Sequence, residues 1–168
     1  MDKILFRFLR NLLIGMILIS LEFYLYNNFT FFAKQQLVIY FVAFFLILLS
    51  FQDTTKEYLY QNQVLAITLG ILYGLSATVS STLMVIFFLF IVTYITLFTK
   101  KGSNYVLFIN ILFMYFTFFI FRVFYFEYVL DTNVDFYDLY IKNFMLVGIV
   151  NTILAYFLVL TNKKIKKS

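Results

Sequence analysis

The stretch Ala66–Lys101, AITLGILYGLSATVSSTLMVIFFLFIVTYITLFTKK, contains two apolar runs separated by one short polar turn. The runs cover Ala66–Val79 and Thr82–Phe98, and the turn between them is Ser80–Ser81. Because hydrocarbon offers no partner to backbone N–H and C=O groups, a run that crosses a membrane satisfies these groups internally, as a helix. The stretch therefore predicts a transmembrane helical hairpin.

The first helix of this hairpin carries small residues at helical spacing. Gly70 and Gly74 form a Gly-x-x-x-Gly pair, and Ala77 follows about one turn later. Small residues of this kind let the backbone of a neighbouring helix approach closely. We predict that these residues form a helix-packing surface, either within the chain or against a partner protein.

The composition of the whole chain indicates an all-α integral membrane protein. The sequence has 168 residues, of which 64% are hydrophobic and only 12% are charged. One soluble core of this length cannot hide so much apolar surface. The chain has no Cys and no His, which excludes disulfides, thiolate catalysis and the usual zinc ligands.

Six apolar runs predict six transmembrane helices in one polytopic domain that covers residues 1–168. The second run reaches only about 22 Å as a helix, which is short for the hydrocarbon core of a bilayer. The predicted spans are 8–26, 37–51, 63–79, 82–99, 105–126 and 140–161.

The distribution of Lys and Arg predicts that both termini are cytoplasmic. With six spans and an inner N-terminus, ten of the thirteen basic residues lie on the inner side. The net charge of +5 thus reflects topology, and we predict no nucleic-acid binding. The main anchors of this topology are Lys100, Lys101, Lys163 and Lys164.

Glu22 and Arg122 are ionisable residues within apolar runs. Charges in this position are costly and usually face protein or water. We consider an ion pair between the first and fifth helices. The alternatives are that each side chain reaches the outer surface independently, that Glu127 pairs with Arg122 instead, or that the two charges bind a substrate.

We predict no catalytic, cofactor-binding or metal-binding residues. Asp131–Asp135 resembles the first half of a calcium loop, but Phe136 and Lys142 occupy the positions where such a loop needs Gly and Glu. No nucleophile and base are placed for each other anywhere in the sequence.

Two stretches resemble the bacterial rod shape-determining protein MreD family. These stretches are LGILYGLSATVSSTL at Leu69–Leu83 and NFMLVGIVNTILAYFLVLTNK at Asn143–Lys163. The family usually has an Asp after the second Gly and often a Pro at the start of its second helix, whereas this chain has Thr78 and Gln35–Gln36 near those positions. The residues that match are Gly70, Gly74, Asn151, Leu154, Ala155 and Lys163–Lys164.

The resemblance implies a non-enzymatic scaffold subunit in the bacterial cytoplasmic membrane. It would join a single-span, MreC-like partner in the elongation complex that builds cell-wall peptidoglycan and determines cell shape. The family is thought to share its six-helix fold with the substrate-binding components of energy-coupling-factor vitamin transporters, which supplies the alternative function. Those components commonly dock through small residues in the first helix, where this chain offers only Gly15 and Ser20.

The topology is testable on this Cys-free chain by single-Cys labelling with a membrane-impermeant maleimide. We expect Cys at position 133 to react in intact cells, and Cys at positions 100 and 165 to react only after the cells are broken. Labelling of position 133 only in broken cells would refute the predicted orientation.

Overall fold

The computed structural model describes residues 3–29, 39–52, 56–76, 80–98, 104–124 and 147–165. In these residues the prediction of an all-helical fold is confirmed, and no strand is present. Ala77, Lys100, Lys101 and the loop that contains Asp131–Asp135 lie outside the described residues. The helices are α1 Lys3–Asn28, α2 Phe41–Gln52, α3 Lys56–Ser76, α4 Ser81–Phe98, α5 Asn104–Phe124 and α6 Ile149–Ile165.

The short helix α2 lies at the centre of the bundle. It packs against α1, α3, α4 and α6. Its side chains are buried on nearly every side, and Val42, Ala43, Leu46 and Ile47 have no exposed surface. A helix that is apolar all round is stable only when other elements surround it, which the bundle achieves here.

The start of α2 differs from the predicted boundary at residue 37. Ile39 and Tyr40 are not helical, and α2 begins at Phe41. The backbone N–H groups of Tyr40 and Val42 donate to side chains of other helices. These contacts mark the first turn of α2, whose N–H groups have no acceptor within the helix. With 12 residues, α2 is about 18 Å long.

The hairpin of α3 and α4 is the most extensive helix pair in the bundle. Ser80 begins α4 as its N-terminal cap, because its Oγ accepts the Leu83 N–H at 3.4 Å and its carbonyl accepts the Met84 N–H. At Gly70, an added Cβ would lie 2.6 Å from the Cα of Val85, and at Gly74 it would collide with Ser81. The glycines therefore allow backbone contact between α3 and α4 of the same chain.

Aromatic rings join α4 and α5 to the start of α2. Phe87 of α4 and Phe118 of α5 stack with 3.6 Å between ring centroids. Tyr40, just before α2, meets both rings edge-on, at 5.9 and 6.3 Å. Edge-to-face and offset-stacked pairs are the favoured aromatic geometries, so this cluster joins α4 and α5 to the start of α2.

In the described part of the chain, α1 is the one helix that is long and apolar enough to cross a membrane. Only 17% of its most apolar 18-residue window is buried, so most of that surface faces outward. Shorter apolar helices lie within α2, α4, α5 and α6. The six-span arrangement stays a prediction.

Gly70→Ala tests the close approach of α3 and α4. Alanine is the better helix former by about 1 kcal/mol, so an uncrowded site would be stabilised by this change. Here the new methyl group meets the Val85 backbone, which cannot rotate away. We expect a net loss of about 1–3 kcal/mol, measured by thermal unfolding in mild detergent.

The control is Leu75→Phe on the same helix, where the side chain is 76% exposed and makes little contact with the described residues. We expect this variant to unfold within about 0.5 kcal/mol of the parent. A more stable Gly70→Ala protein would contradict the backbone contact.

Candidate functional site

The N-terminus of α2 is buried and receives its hydrogen-bond acceptors from two other helices. The Val42 N–H donates to Glu22 Oε1 of α1 at 2.8 Å. The Tyr40 N–H donates to Asn151 Oδ1 of α6 at 2.9 Å. The first N–H groups of a helix have no acceptor within it, and in a buried position they need side-chain partners. We call Glu22 and Asn151 together the α2 cap.

Glu22 points inward because it lies on the buried stripe of α1. That stripe consists of Asn11, Gly15, Ile19 and Glu22, which are three or four residues apart and so share one face of the helix. Glu22 is only 5% exposed. At this position its Oε1 is an acceptor for a backbone N–H at the N-terminus of α2.

Asn151 is held in the orientation that the cap requires. Its Nδ2 donates to the carbonyl of Val147, one turn earlier in the chain, at 2.7 Å. This bond directs Oδ1 toward the Tyr40 N–H. Asn151 is fully buried, and Ala155 and Val159 continue the same buried face of α6.

Two buried tyrosines complete the surroundings of the α2 cap. Tyr73 of α3 lies beside the Glu22 carboxyl group. Tyr115 of α5 lies within electrostatic range of Glu22 and Tyr40. In the described structure, Glu22 Oε2 and the Tyr115 hydroxyl are buried without a hydrogen-bond partner. Five helices or helix ends thus contribute polar atoms to one small region.

The structure brings some of the predicted residues together and separates others. Glu22 and Asn151 meet at α2, whereas Gly70 and Gly74 serve the α3–α4 hairpin. Arg122 lies in α5, but its side chain is outside the described residues, so its pairing with Glu22 stays a prediction. Lys163 and Lys164 lie in the last turn of α6.

Sequence reasoning did not connect Glu22 with Asn151, and it did not select Tyr73 or Tyr115. The sequence did contain a signal for the contact of Glu22 and Asn151 with the same helix end. The second run is too short to cross a bilayer, so one of its ends lies inside the apolar region and needs acceptors from elsewhere. Glu22 and Asn151 are acceptors within apolar runs. The tyrosines carried no comparable signal, because Tyr is frequent throughout this chain.

Comparisons with family models, with curated proteins and with solved structures find no match to this chain. Among the described residues, no group of three or more His, Cys, Asp or Glu side chains has the arrangement of a metal site. The interpretation of the α2 cap therefore rests on its own geometry.

The α2 cap predicts different costs for two substitutions of Glu22. Glu22→Leu removes the acceptor and leaves the buried Val42 N–H unpaired, which costs about 1–3 kcal/mol. Glu22→Gln keeps an acceptor oxygen of the same reach, and we expect a loss of no more than about 1 kcal/mol. Thermal unfolding in mild detergent measures both.

Asn151→Leu should resemble Glu22→Leu, because it leaves the Tyr40 N–H unpaired. The control is Ser20→Ala, since the exposed Ser20 hydroxyl bonds only to the Met16 carbonyl of its own helix at 3.0 Å. We expect this control to stay within about 0.5 kcal/mol of the parent. Equal stabilities for Glu22→Leu and Ser20→Ala would show that Glu22 does not cap α2.

Proposed function

We propose that this chain is a multi-pass protein of the bacterial cytoplasmic membrane with six spans and both termini inside. Every described helix except α2 exposes large apolar side chains, with Leu75 at 76% and Leu97 at 63%. Glu22, Asn62 and Asn151 are buried instead. This distribution is unfavourable in water but suits a lipid environment, where the exterior is apolar and polar groups face protein.

The full helix lengths are compatible with this membrane arrangement. With their polar ends included, α3, α4, α5 and α6 have 21, 18, 21 and 17 residues, which correspond to about 26–32 Å. The apolar parts of α4, α5 and α6 are the shorter segments Ser81–Leu97, Val106–Ile120 and Ile149–Thr161. The hydrocarbon core of a bilayer is about 30 Å thick. α2 is too short to cross it alone, and its buried N-terminus explains how a short helix is accommodated among longer neighbours.

Within that membrane, we propose a non-enzymatic scaffold role in the cell-wall elongation complex, in which the chain binds an MreC-like single-span partner. The observation that carries this proposal is the structural role of Glu22. The acid in the apolar part of α1 caps α2 by accepting the Val42 N–H, so it serves the architecture of the bundle. The residues that resemble the MreD family serve it too: Gly70 and Gly74 in the hairpin, Asn151 and Ala155 in the core.

The first helix favours the scaffold over the transporter alternative. A transporter component of that kind is expected to present small residues on the outer face of its first helix. Gly15 faces inward here, where an added Cβ would lie 2.5 Å from the Leu69 side chain. The outer face presents the bulky Leu13, Met16 and Ile17 beside the single small residue Ser20.

Site-specific photo-crosslinking tests the scaffold proposal in cells that co-express an MreC-like partner. A photoreactive amino acid is placed at exposed positions of three helices: Ile17 on α1, Phe113 on α5 and Phe157 on α6. We expect at least one of these positions to crosslink to the partner. Ile47 of α2, which has no exposed surface, is the control that should give no crosslink.

An unrelated single-span membrane protein expressed at the same level controls for random encounters in the membrane. Equal crosslinking to that protein, or no crosslink from any exposed position, would refute the scaffold proposal. Co-purification with a pair of ATPases would support the transporter alternative instead.

A further inference from the structure

The N-terminal end of α1, at the opposite end of the helix from Glu22, carries a basic stripe. We define this stripe as Lys3, Arg7 and Arg10, which are four and three residues apart and therefore share one face of the helix. Lys3 and Arg10 are exposed, and Arg7 is half-buried at the contact with α3. The stripe is thus available to a molecule outside the protein.

Contacts with polar neighbours hold the basic stripe in place. The Arg7 guanidinium lies 3.9 Å from the centroid of the Tyr58 ring of α3. Arg10 donates through Nε and Nη2 to Asn11 Oδ1, at 3.4 and 3.3 Å. Asn11 is itself 2% exposed, so it is a fixed acceptor. Side chains that are already ordered lose less entropy when they bind a ligand.

α1 and α3 are also joined through the backbone at this end. Gln61 Nε2 of α3 donates to the carbonyl of Ile4. This bond holds the first turn of α1 against α3, so the basic stripe and the start of α3 form one surface.

An apolar track continues directly from Arg10. Phe6, Arg10, Leu13 and Ile17 are four, three and four residues apart, so they lie in line on one face of α1. The three apolar side chains are 56%, 60% and 59% exposed. Leu13 and Ile17 lie one and two turns farther into the apolar part of the helix than Arg10. The surface thus combines positive charge at one end with exposed hydrocarbon along its length.

The surface formed by the basic stripe and the start of α3 has a net positive charge. At the start of α3, Lys56 and Glu57 are both exposed and have opposite charges. Asp2 precedes the stripe in the sequence and lies outside the described residues. Among the described residues of this surface, the basic side chains outnumber the acidic one: Lys3, Arg7, Arg10 and Lys56 against Glu57.

We propose that this surface is a binding site for an anionic phospholipid of the inner leaflet. Lys3 and Arg10 bind the phosphate, for which the guanidinium geometry of Arg is well suited, and an acyl chain lies along Leu13 and Ile17. Basic residues next to a membrane-spanning helix attract anionic headgroups. The inference rests on the membrane location proposed above, and it is independent of the identity of the protein partner.

Native mass spectrometry of the full chain in neutral detergent tests the site. The probes are phosphatidylglycerol, phosphatidylcholine as the neutral lipid, and inorganic phosphate as the free anion. We expect phosphatidylglycerol to be retained at concentrations where the other two are not. Equal retention of phosphatidylcholine, or displacement of phosphatidylglycerol by inorganic phosphate, would overturn the proposal.

Charge substitutions locate the site on α1. Arg10→Gln and Lys3→Gln each leave the contact between Arg7 and Tyr58 intact, and each should weaken phosphatidylglycerol binding about fivefold. Arg10→Lys keeps the charge and should retain most of the binding. The matched controls are Lys163→Gln and Lys164→Gln, which remove the same charge at the other terminus and should leave binding unchanged.

Two results would refute this location. An equal loss in the Lys163→Gln control would indicate a general effect of net charge, and unchanged binding in both Arg10→Gln and Lys3→Gln would exclude the stripe. Thermal unfolding without added lipid shows whether each variant is folded. Because Lys3 is exposed, Lys3→Gln tests lipid binding even if Arg10→Gln is unstable. Crosslinking to the protein partner is a separate readout, so the two proposals can fail independently.

Discussion

The need to satisfy backbone N–H groups at a buried helix end determines the arrangement of this bundle. α2 begins among apolar side chains, and its first N–H groups find acceptors in Glu22 and Asn151. These residues belong to the first and last helices of the chain, 20 and 111 residues away from the groups they bind. A local requirement of one short helix therefore joins the first and last helices of the chain through α2.

Neither acceptor is easily replaced by solvent in this position. Water in the apolar region is scarce, so an unpaired N–H or carboxylate there costs more than it does at a protein surface. The tyrosines and phenylalanines around the start of α2 exclude water further, with Phe87 and Phe118 stacked against each other. The aromatic packing that stabilises the bundle thus also raises the free-energy cost of losing the hydrogen bonds from Val42 to Glu22 and from Tyr40 to Asn151.

Apolar and aromatic side chains fill the core of this bundle, small and polar residues make specific contacts between its helices, and bulky apolar residues cover its exterior. In a lipid environment, apolar side chains gain little by leaving the solvent, so helix association depends on close packing and on hydrogen bonds. Gly15 and Gly70 bring α1 to α3 and α3 to α4. The described outward faces retain Leu, Ile and Phe, which suit both lipid and a partner helix, and the N-terminal end of α1 carries basic side chains.

Composition and periodicity were enough to predict helices, an apolar exterior and the hairpin around Ser80, because these features depend on local spacing and on the properties of single residues. They did not reveal which helices contact one another. The sequence left open whether Glu22 pairs with Arg122, reaches the surface or binds a substrate. It did not suggest the backbone N–H of Val42 as a partner, because every residue except Pro carries the same backbone donor. The start of α2 at Phe41 was missed for the same reason, since acceptors from α1 and α6 determine where that helix begins. Contacts between residues far apart in the chain exist only once the helices have packed, and tertiary structure alone decided them.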